Sequence, residues 1–590
     1  MRPLPAFVLA AVLPFSGTVA PADGTAPPTS ATEERLVTSS PPGIPGSRLV
    51  FAFRAEPTTF NPIAADDDVS REIVTLLHAD LVSINRETLK TELRLAREWT
   101  MSRDGRRFTV KLRRGLRFSD GQPLTADDVV FTFGVHLDER NHSSQRDLLI
   151  VGGRPIVVRK IDELTLAFEL AEPYAVAERL FDGFPILPRH RLEKAQKEGR
   201  LAEMWGLGTS PSELAGLGPF RLKEYRPGDR VLLEPNPYYW KEDAAGQPLP
   251  YLTELVFLFV ASQDAQAVRF QSGETDMISS LGPENFALLD KEATRRGHRM
   301  IDLGPGLEWP FLLFNQNDDV RAKGLDHVLG RQAWFRDLSF RRAVSLAIDR
   351  AAMTRLVFLG RAAPMASHVP PGNKPWIHSA LRPTPRSIPE ARALLEKAGY
   401  SWGEDGLLRD PKGVVVEFSI ITNASNSARV KMATLIQADL RELGMRVSVT
   451  TLESRATFDR TLNTHDYDTA VMSFAGTDTD PNPVMNVLLS NGPMHIWNMG
   501  QARPATAWEA EIDDLMRRQL SEMRYEDRKK LVDRVQEIIA EQLPVAPLVS
   551  PHLLAGAKSR LGNLRPGILP SHLLWNADEL YWTAPAAASR

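Results

Sequence analysis

Cysteine is absent from all 590 residues. That excludes disulfides, thiolate metal sites, cysteine nucleophiles and a lipid-modified N-terminal cysteine together. A surplus of one charge is missing too: 71 Lys and Arg stand against 74 Asp and Glu, a formal net charge of -3. Such a balance gives no electrostatic footprint for nucleic acid or for an anionic membrane surface. No apolar run reaches the roughly 18 residues that a membrane span needs. Signatures of catalysis are missing as well. The chain has no G-x-x-x-x-G-K-[ST] phosphate cradle, no G-x-S-x-G elbow and no H-E-x-x-H zinc helix. Its 12 histidines are scattered, and neither His190 nor His465 has a second His at metal-helix spacing. Asp478-Thr479-Asp480-Pro481-Asn482 opens like a calcium loop. Pro483 then stands where the loop needs Gly, and Leu489 where it needs a bidentate Glu. The expectation is a binding protein without catalytic residues, metal site or cofactor.

What is present begins with a basic Met1-Arg2, an apolar Ala6–Phe15 run and an Ala20-Pro21-Ala22 cleavage pattern. This reads as a cleaved signal peptide over 1–22, and implies an exported, periplasmic protein without a lipid anchor. Residues 23–47, rich in Pro, Ser, Thr and Gly, read as a flexible leader. Beyond it the length calls for two or more lobes. Leu49, Phe51 and Phe53 alternate as a strand, as do Phe108, Val110 and Leu112. Thr125 and Asp128 form a capping box before a helix with Val129, Val130, Phe133 and Leu137 facing inward. Pro389 opens and Gly399 closes another helix. Met432, Leu435, Ile436, Leu440 and Leu443 give an amphipathic face stopped by Gly444, and Val447, Val449 and Thr451 follow as a strand. Helix and strand alternate, so the class is mixed α/β.

Several blocks then occur in a fixed order. They are Leu95-Ala-Arg-Glu-Trp99 with Ser102-Arg-Asp-Gly105, Phe108–Gly115, Phe118-Ser-Asp-Gly121 and Pro123–Val129. Gly218-Pro219-Phe220, Pro235–Trp240, Gln271–Asp276, Phe314-Asn315, Arg341–Ala343, Ala347–Arg350, Ala391–Tyr400 and Asp466-Tyr467-Asp468 follow. Together they resemble the family 5 extracellular solute-binding proteins of ABC importers, the oligopeptide- and dipeptide-binding group, over roughly 48–582. The resemblance implies a two-lobed, type II periplasmic-binding-protein-like fold with an extra subdomain in lobe 1. Lobe 1 would comprise 48–85, the inserted 86–214, 215–316 and the C-terminal 544–590, and lobe 2 would comprise 317–543. Hinges would fall at Asn315 and Asn317, and at Pro544 and Pro547.

The resemblance also implies that ligand is held between the lobes as an added β-strand. The backbone of Ala65, Asp66, Asp67 and Asp68 in lobe 1, and of Ser473, Phe474 and Ala475 in lobe 2, would flank it. Side-chain candidates are Thr477, Asp478, Asp480, Trp309, His495 and Trp497. One departure matters. Peptide binders of this group commonly carry an Asp that pairs with the ligand's α-amino group, and Thr477 stands there, with Asp478 one place on. The expected function is therefore capture of a peptide or peptide-like solute by a monomeric receptor, for delivery to an ABC importer permease. Alternatives are a nickel chelate, an opine or sugar conjugate, a peptide antibiotic, a sensory receptor or, least favoured, a secreted hydrolase.

Overall fold

Alternation of apolar residues builds the separate sheets around which the chain is organised. The structure, a computed structural model, describes residues 33–583. The expected signal peptide lies outside the described residues, as does the start of the leader. In lobe 1 a four-stranded sheet runs in the order Phe220–Arg226, Arg230–Pro235, Glu254–Phe259, Arg48–Phe53, with only the last pair parallel. Leu49 and Phe51 are buried in it, as the alternation requires. A second lobe 1 sheet places Val549–Lys558 between Met277–Ile278 and His298–Pro305.

The inserted layer is an antiparallel sheet of Ala96–Met101, Arg107–Leu112, Thr165–Glu169 and Val157–Lys160. Phe108, Val110 and Leu112 are enclosed beneath the helix Ala126–Leu137, whose capping box is Thr125 with Asp128. Full burial of each such side chain stabilises by about 1.5–3 kcal/mol.

Lobe 2 is built on a five-stranded sheet in the order Arg446–Leu452, Glu417–Asn423, Thr469–Phe474, Trp309–Phe314, Val545–Pro547. The first three strands are parallel, and Trp309–Phe314 is antiparallel to both its neighbours. Helix Ser427–Glu442 links two parallel strands and buries Met432, Ile436 and Leu440 against them. Gly444 ends that segment at φ +79°, where a Cβ would lie 2.4 Å from the Gly406 carbonyl oxygen.

Two expectations need correction. The leader was expected to stay flexible to residue 47. Instead Leu36–Val37 pairs in parallel with Lys241–Glu242, and Thr38 and Ser40 are buried. Their hydroxyls donate to Glu579 at 2.6 and 2.7 Å. A segment poor in large apolar residues can still be ordered when its hydroxyls satisfy a buried carboxylate.

The crossings also lie elsewhere than at Asn315, Asn317, Pro544 and Pro547. Asn315 and Asn317 are wholly buried, and Asn315 Nδ2 donates to the carbonyls of His465 and Tyr467. Pro547 is paired with Phe311, and the Pro544 carbonyl accepts from Gln316. All four are therefore fixed inside lobe 2. The chain passes from the lobe 1 strand His298–Pro305 to the lobe 2 strand Trp309–Phe314 through Gly306, Leu307 and Glu308. On return, Val549–Lys558 pairs first with Ala362–Pro364 and then with His298–Pro305.

Candidate functional site

The lobe 2 sheet presents the carboxyl ends of its parallel strands toward those crossings, the position where open α/β sheets bind ligands. Phe474 ends one such strand and pairs with Trp309. The Pro310 carbonyl accepts from Leu548 N on its far side. Ser473, opposite Pro310, is thus in a non-hydrogen-bonded pair, and its own N–H and C=O point to the other edge. On that edge the register with Glu417–Asn423 covers only Thr469 and Ala470. The Ser473 backbone therefore faces an unfilled ladder position among the described residues. Its hydroxyl donates to Glu308 at 2.5 Å and accepts from Arg429.

The next loop lies against the first crossing. A Cβ on Gly476 would fall 2.5 Å from the Leu307 carbonyl oxygen, so only Gly permits this approach. Leu307 meets Ile84 and Leu569 of lobe 1 in a small apolar cluster. Ala475 and Thr477 are exposed, while Asp478 is held by Arg179 of the inserted layer at 2.6 Å. Asp480 turns inward to a two-pronged pair with Arg528, at 2.7 and 2.9 Å.

Other expected contacts are not brought to the cleft. His495 and Trp497 are enclosed in the lobe 2 core with ring centroids 4.2 Å apart, and both contact Glu509, at 3.3 and 3.2 Å. Two adjacent polar aromatics were satisfied by one buried carboxylate rather than by a ligand. Trp309 is also buried, against Phe311, Phe474 and His368. Among the described residues its Nε1 has no partner, and neither has His368 Nδ1.

On lobe 1 the Ala65–Asp68 segment is the entry to helix Asp68–Leu77. Asp67 is its N-cap, accepting from Ser70 N at 2.8 Å and from Thr58 Oγ1 at 2.6 Å. The Ala65 and Asp66 carbonyls accept from Arg71. These bonds fix the segment's turn and leave each carbonyl a second lone pair, so the segment stays a candidate to flank a ligand strand. Asp66 and Asp68 point into solvent.

A charged cluster that sequence reasoning missed lies on the lobe 1 side. Burial pushes Glu72 up to about 7, against a hydrogen bond from Ser571 and the nearby Arg86. Burial and the neighbouring Asp182 push Asp80 up to about 7, although Gly183 N donates to it at 2.9 Å. Asp182 is raised by burial too, and feels the charge of Asp478 across the cleft. Arg86 neighbours all three carboxylates. No motif marks this cluster, because Glu72, Asp80 and Arg86 share no recognisable spacing and Asp182 and Ser571 reach them from about 100 and 500 residues on.

A separate basic hollow of about 620 Å³ lies at the Lys558 end of the long strand, lined by Arg48, Arg296, Lys558, Arg560 and Trp582. Lys558 is paired with Asp276, Arg296 with Glu292, and Arg560 with the Thr583 carbonyl. With these cations paired, this is a solvated surface recess at the far end of the strand from Pro551.

Two α/β lobes joined by two chain crossings, with strand carboxyl ends turned toward them, define the fold of a two-lobed binding protein. The chain belongs to the bacterial extracellular solute-binding proteins, family 5, whose profile matches residues 90–495. It is 28% identical to a probable ABC transporter-binding protein of Deinococcus radiodurans, over 83% of this chain and 85% of that protein. It is 25% identical to the oligopeptide-binding protein AppA of Bacillus subtilis, over 86% and 87%. An identity of 25%, over 85% and 75%, links it to a periplasmic alpha-galactoside-binding protein of Rhizobium meliloti. Among solved structures it is similar to the ABC transporter substrate-binding protein CtaP of Listeria monocytogenes, with a TM-score of 0.74 at 22% identity, over 92% of this chain and 100% of that one.

Proposed function

We propose that this chain is an exported, monomeric receptor that takes a peptide or peptide-like solute between its lobes and hands it to the permease of an ABC importer. The open ladder edge at Ser473 carries this reading. A backbone N–H and C=O facing an unfilled position recruit an extended ligand main chain whatever its side chains, with Ala475 next on the same edge while the Phe474 backbone turns to Trp309. The name of the Bacillus relative agrees with a peptide, and that of the Rhizobium relative keeps a sugar conjugate in view. Hinge bending over Gly306–Glu308 and near Pro551 would open and close the cleft, a few element-terminal residues absorbing the rotation. Closure follows from ligand that touches both lobes only in the closed state.

The test is native mass spectrometry of protein purified from its own periplasm, followed by denaturation to release the cargo. A set of short peptides of similar length and varied sequence supports backbone-led capture. A single non-peptide compound sinks the peptide reading and keeps the receptor.

A further inference from the structure

The inserted layer reaches across the cleft through Tyr174–Arg179. Arg179 Nη1 donates to both carboxylate oxygens of Asp478, at 2.5 and 2.6 Å. Its Nε lies 3.9 Å from Asp480. Asn482 Nδ2 donates to Tyr174 Oη at 2.8 Å, and Ala175 N donates to the Leu520 carbonyl at 2.7 Å. These contacts join segments about 300 residues apart and belong to opposite lobes, so all are lost when the lobes separate. Asp478 is the carboxylate that the cleft loop of lobe 2 offers, and the cation upon it comes from the protein itself.

We propose that Arg179 is a specificity-determining residue: it neutralises Asp478 from the opposite lobe, so the receptor closes on solutes that bring no ammonium to that end. This rests on the reading of the cleft as the solute site. The pair is well built for the task. Both side chains are about four-fifths covered, at 19% and 23% exposure, so solvent screens it less than a surface pair. Asp478 also accepts from Asp480 N at 3.2 Å, and Asp480 is clamped by Arg528. The acceptor is thus held in place before Arg179 arrives. Burial works against the charge on Arg179, and the two aspartates outweigh it.

A ligand ammonium competing for Asp478 would have to expel the guanidinium and leave it desolvated without its partner, which is costly. A neutral or N-blocked end meets no such competitor. The protein's own cation then supplies part of the closing free energy that a charged ligand would otherwise bring.

Two probes and one ligand-free measurement test this. The probes are tetra-alanine and N-acetyl-tetra-alanine, titrated into wild type, Arg179→Gln, Asp478→Asn and the double variant, with thermal unfolding to confirm that each is folded. Relative to wild type, Arg179→Gln is expected to shift the affinity ratio at least tenfold toward the free amine, and the double variant to lose that shift. An unchanged ratio in Arg179→Gln, or no binding of either probe by it, overturns the selectivity. Small-angle scattering of the unliganded proteins reads the latch directly. Both single variants and the double are expected to be more open than wild type by the same amount, because all three remove one pair. Identical scattering from wild type and Arg179→Gln overturns the latch. A wild type that stays compact through Arg179 yet carries no solute of any kind would instead defeat the solute reading and leave the latch standing.

Discussion

Two aspartates two residues apart on one loop have opposite fates. Asp480 is 3% exposed and paired within its own lobe to Arg528, which is 5% exposed. Asp478 is 23% exposed and paired across the cleft to Arg179. The inner pair belongs to a closed polar network: Arg528 also donates to the Gln519 carbonyl and side chain, at 3.1 and 2.8 Å, and lies 4.8 Å over the Trp376 ring. The outer pair has water on one side and can open. The same chemistry thus serves as scaffold where every donor is committed, and as a switchable contact where one partner sits on a moving body. Breaking each pair in turn tests this contrast.

The largest effect is expected at the inner pair. Arg528→Met leaves Asp480 buried with only Arg179 Nε, 3.9 Å away across the cleft, to oppose its charge, a loss of about 3 kcal/mol. Chemical denaturation should show it as a lower midpoint, and Arg528→Met with Asp480→Leu should recover part of it. An unchanged midpoint would mean that the network is solvated and is no scaffold.

Lobe 1 holds a matching contrast between two glutamates. Glu579 takes Lys241 at 2.7 Å along with Thr38 and Ser40, and contacts Arg565. Burial alone would raise it, but Lys241 and the hydroxyls bring it down to about 2. Its folded pKa is depressed, so its stability contribution is present above the unfolded value and lost as pH falls from about 4.3 toward 2. Glu579→Gln is expected to cost about 3 kcal/mol at pH 7, from loss of these charge-assisted bonds. It should also free residues 36–40, read as faster amide exchange there. Unaltered exchange would show that strand pairing with Lys241–Glu242 suffices.

Glu72 is the opposite case, pushed up to about 7 by burial, with one oxygen lacking a partner among the described residues. Its folded pKa is raised, so its contribution is present below the unfolded value and lost as pH rises through 7. Glu72→Gln should therefore stabilise at pH 8, by about 1–2 kcal/mol, and flatten the stability profile between pH 4.5 and 7. A profile that keeps its slope would assign the titration to Asp80 instead.

These contrasts also mark where the sequence was legible. The strands at Leu49–Phe53 and Phe108–Leu112, the Thr125–Asp128 box and the Pro389 and Gly444 helix ends follow from local periodicity and capping, and the structure has them. The ordered blocks led to the family, because those glycines and aromatics hold the shell together: Phe118 and Trp240 are fully buried. The cleft was less legible. His495 and Trp497 look like ligand contacts in the sequence, and only the fold shows them buried on Glu509. Ser473 was reached through the resemblance, yet its open edge depends on Pro310 and Leu548, one neighbour 160 residues before it and one 75 after. Arg179, Glu72, Asp80 and Asp182 carry no local signal, since their roles arise from which segments the topology brings together.

The smallest stability effect should come from the outer pair. Arg179→Gln removes one ion pair that water can reach, worth about 1 kcal/mol or less to global unfolding. Global unfolding is the wrong reading of it, however. Each lobe keeps its own core: the inserted layer encloses Phe108, Phe168 and Phe181, and lobe 2 encloses Phe311, Leu313 and Trp497. A contact between the cores changes their separation before it changes either one's integrity. The expected signature is a thermal midpoint within about 2 °C of wild type alongside a larger radius of gyration, since about 1 kcal/mol is worth only a few degrees in a chain of this length. Raising the salt should open the wild type toward the variant and move Arg179→Gln less, because the Arg179–Asp478 pair is gone there and the exposed Lys431–Glu284 pair is left between the lobes to be screened. A midpoint that falls as far as in Arg528→Met would place both aspartates in one scaffold and end the contrast between them.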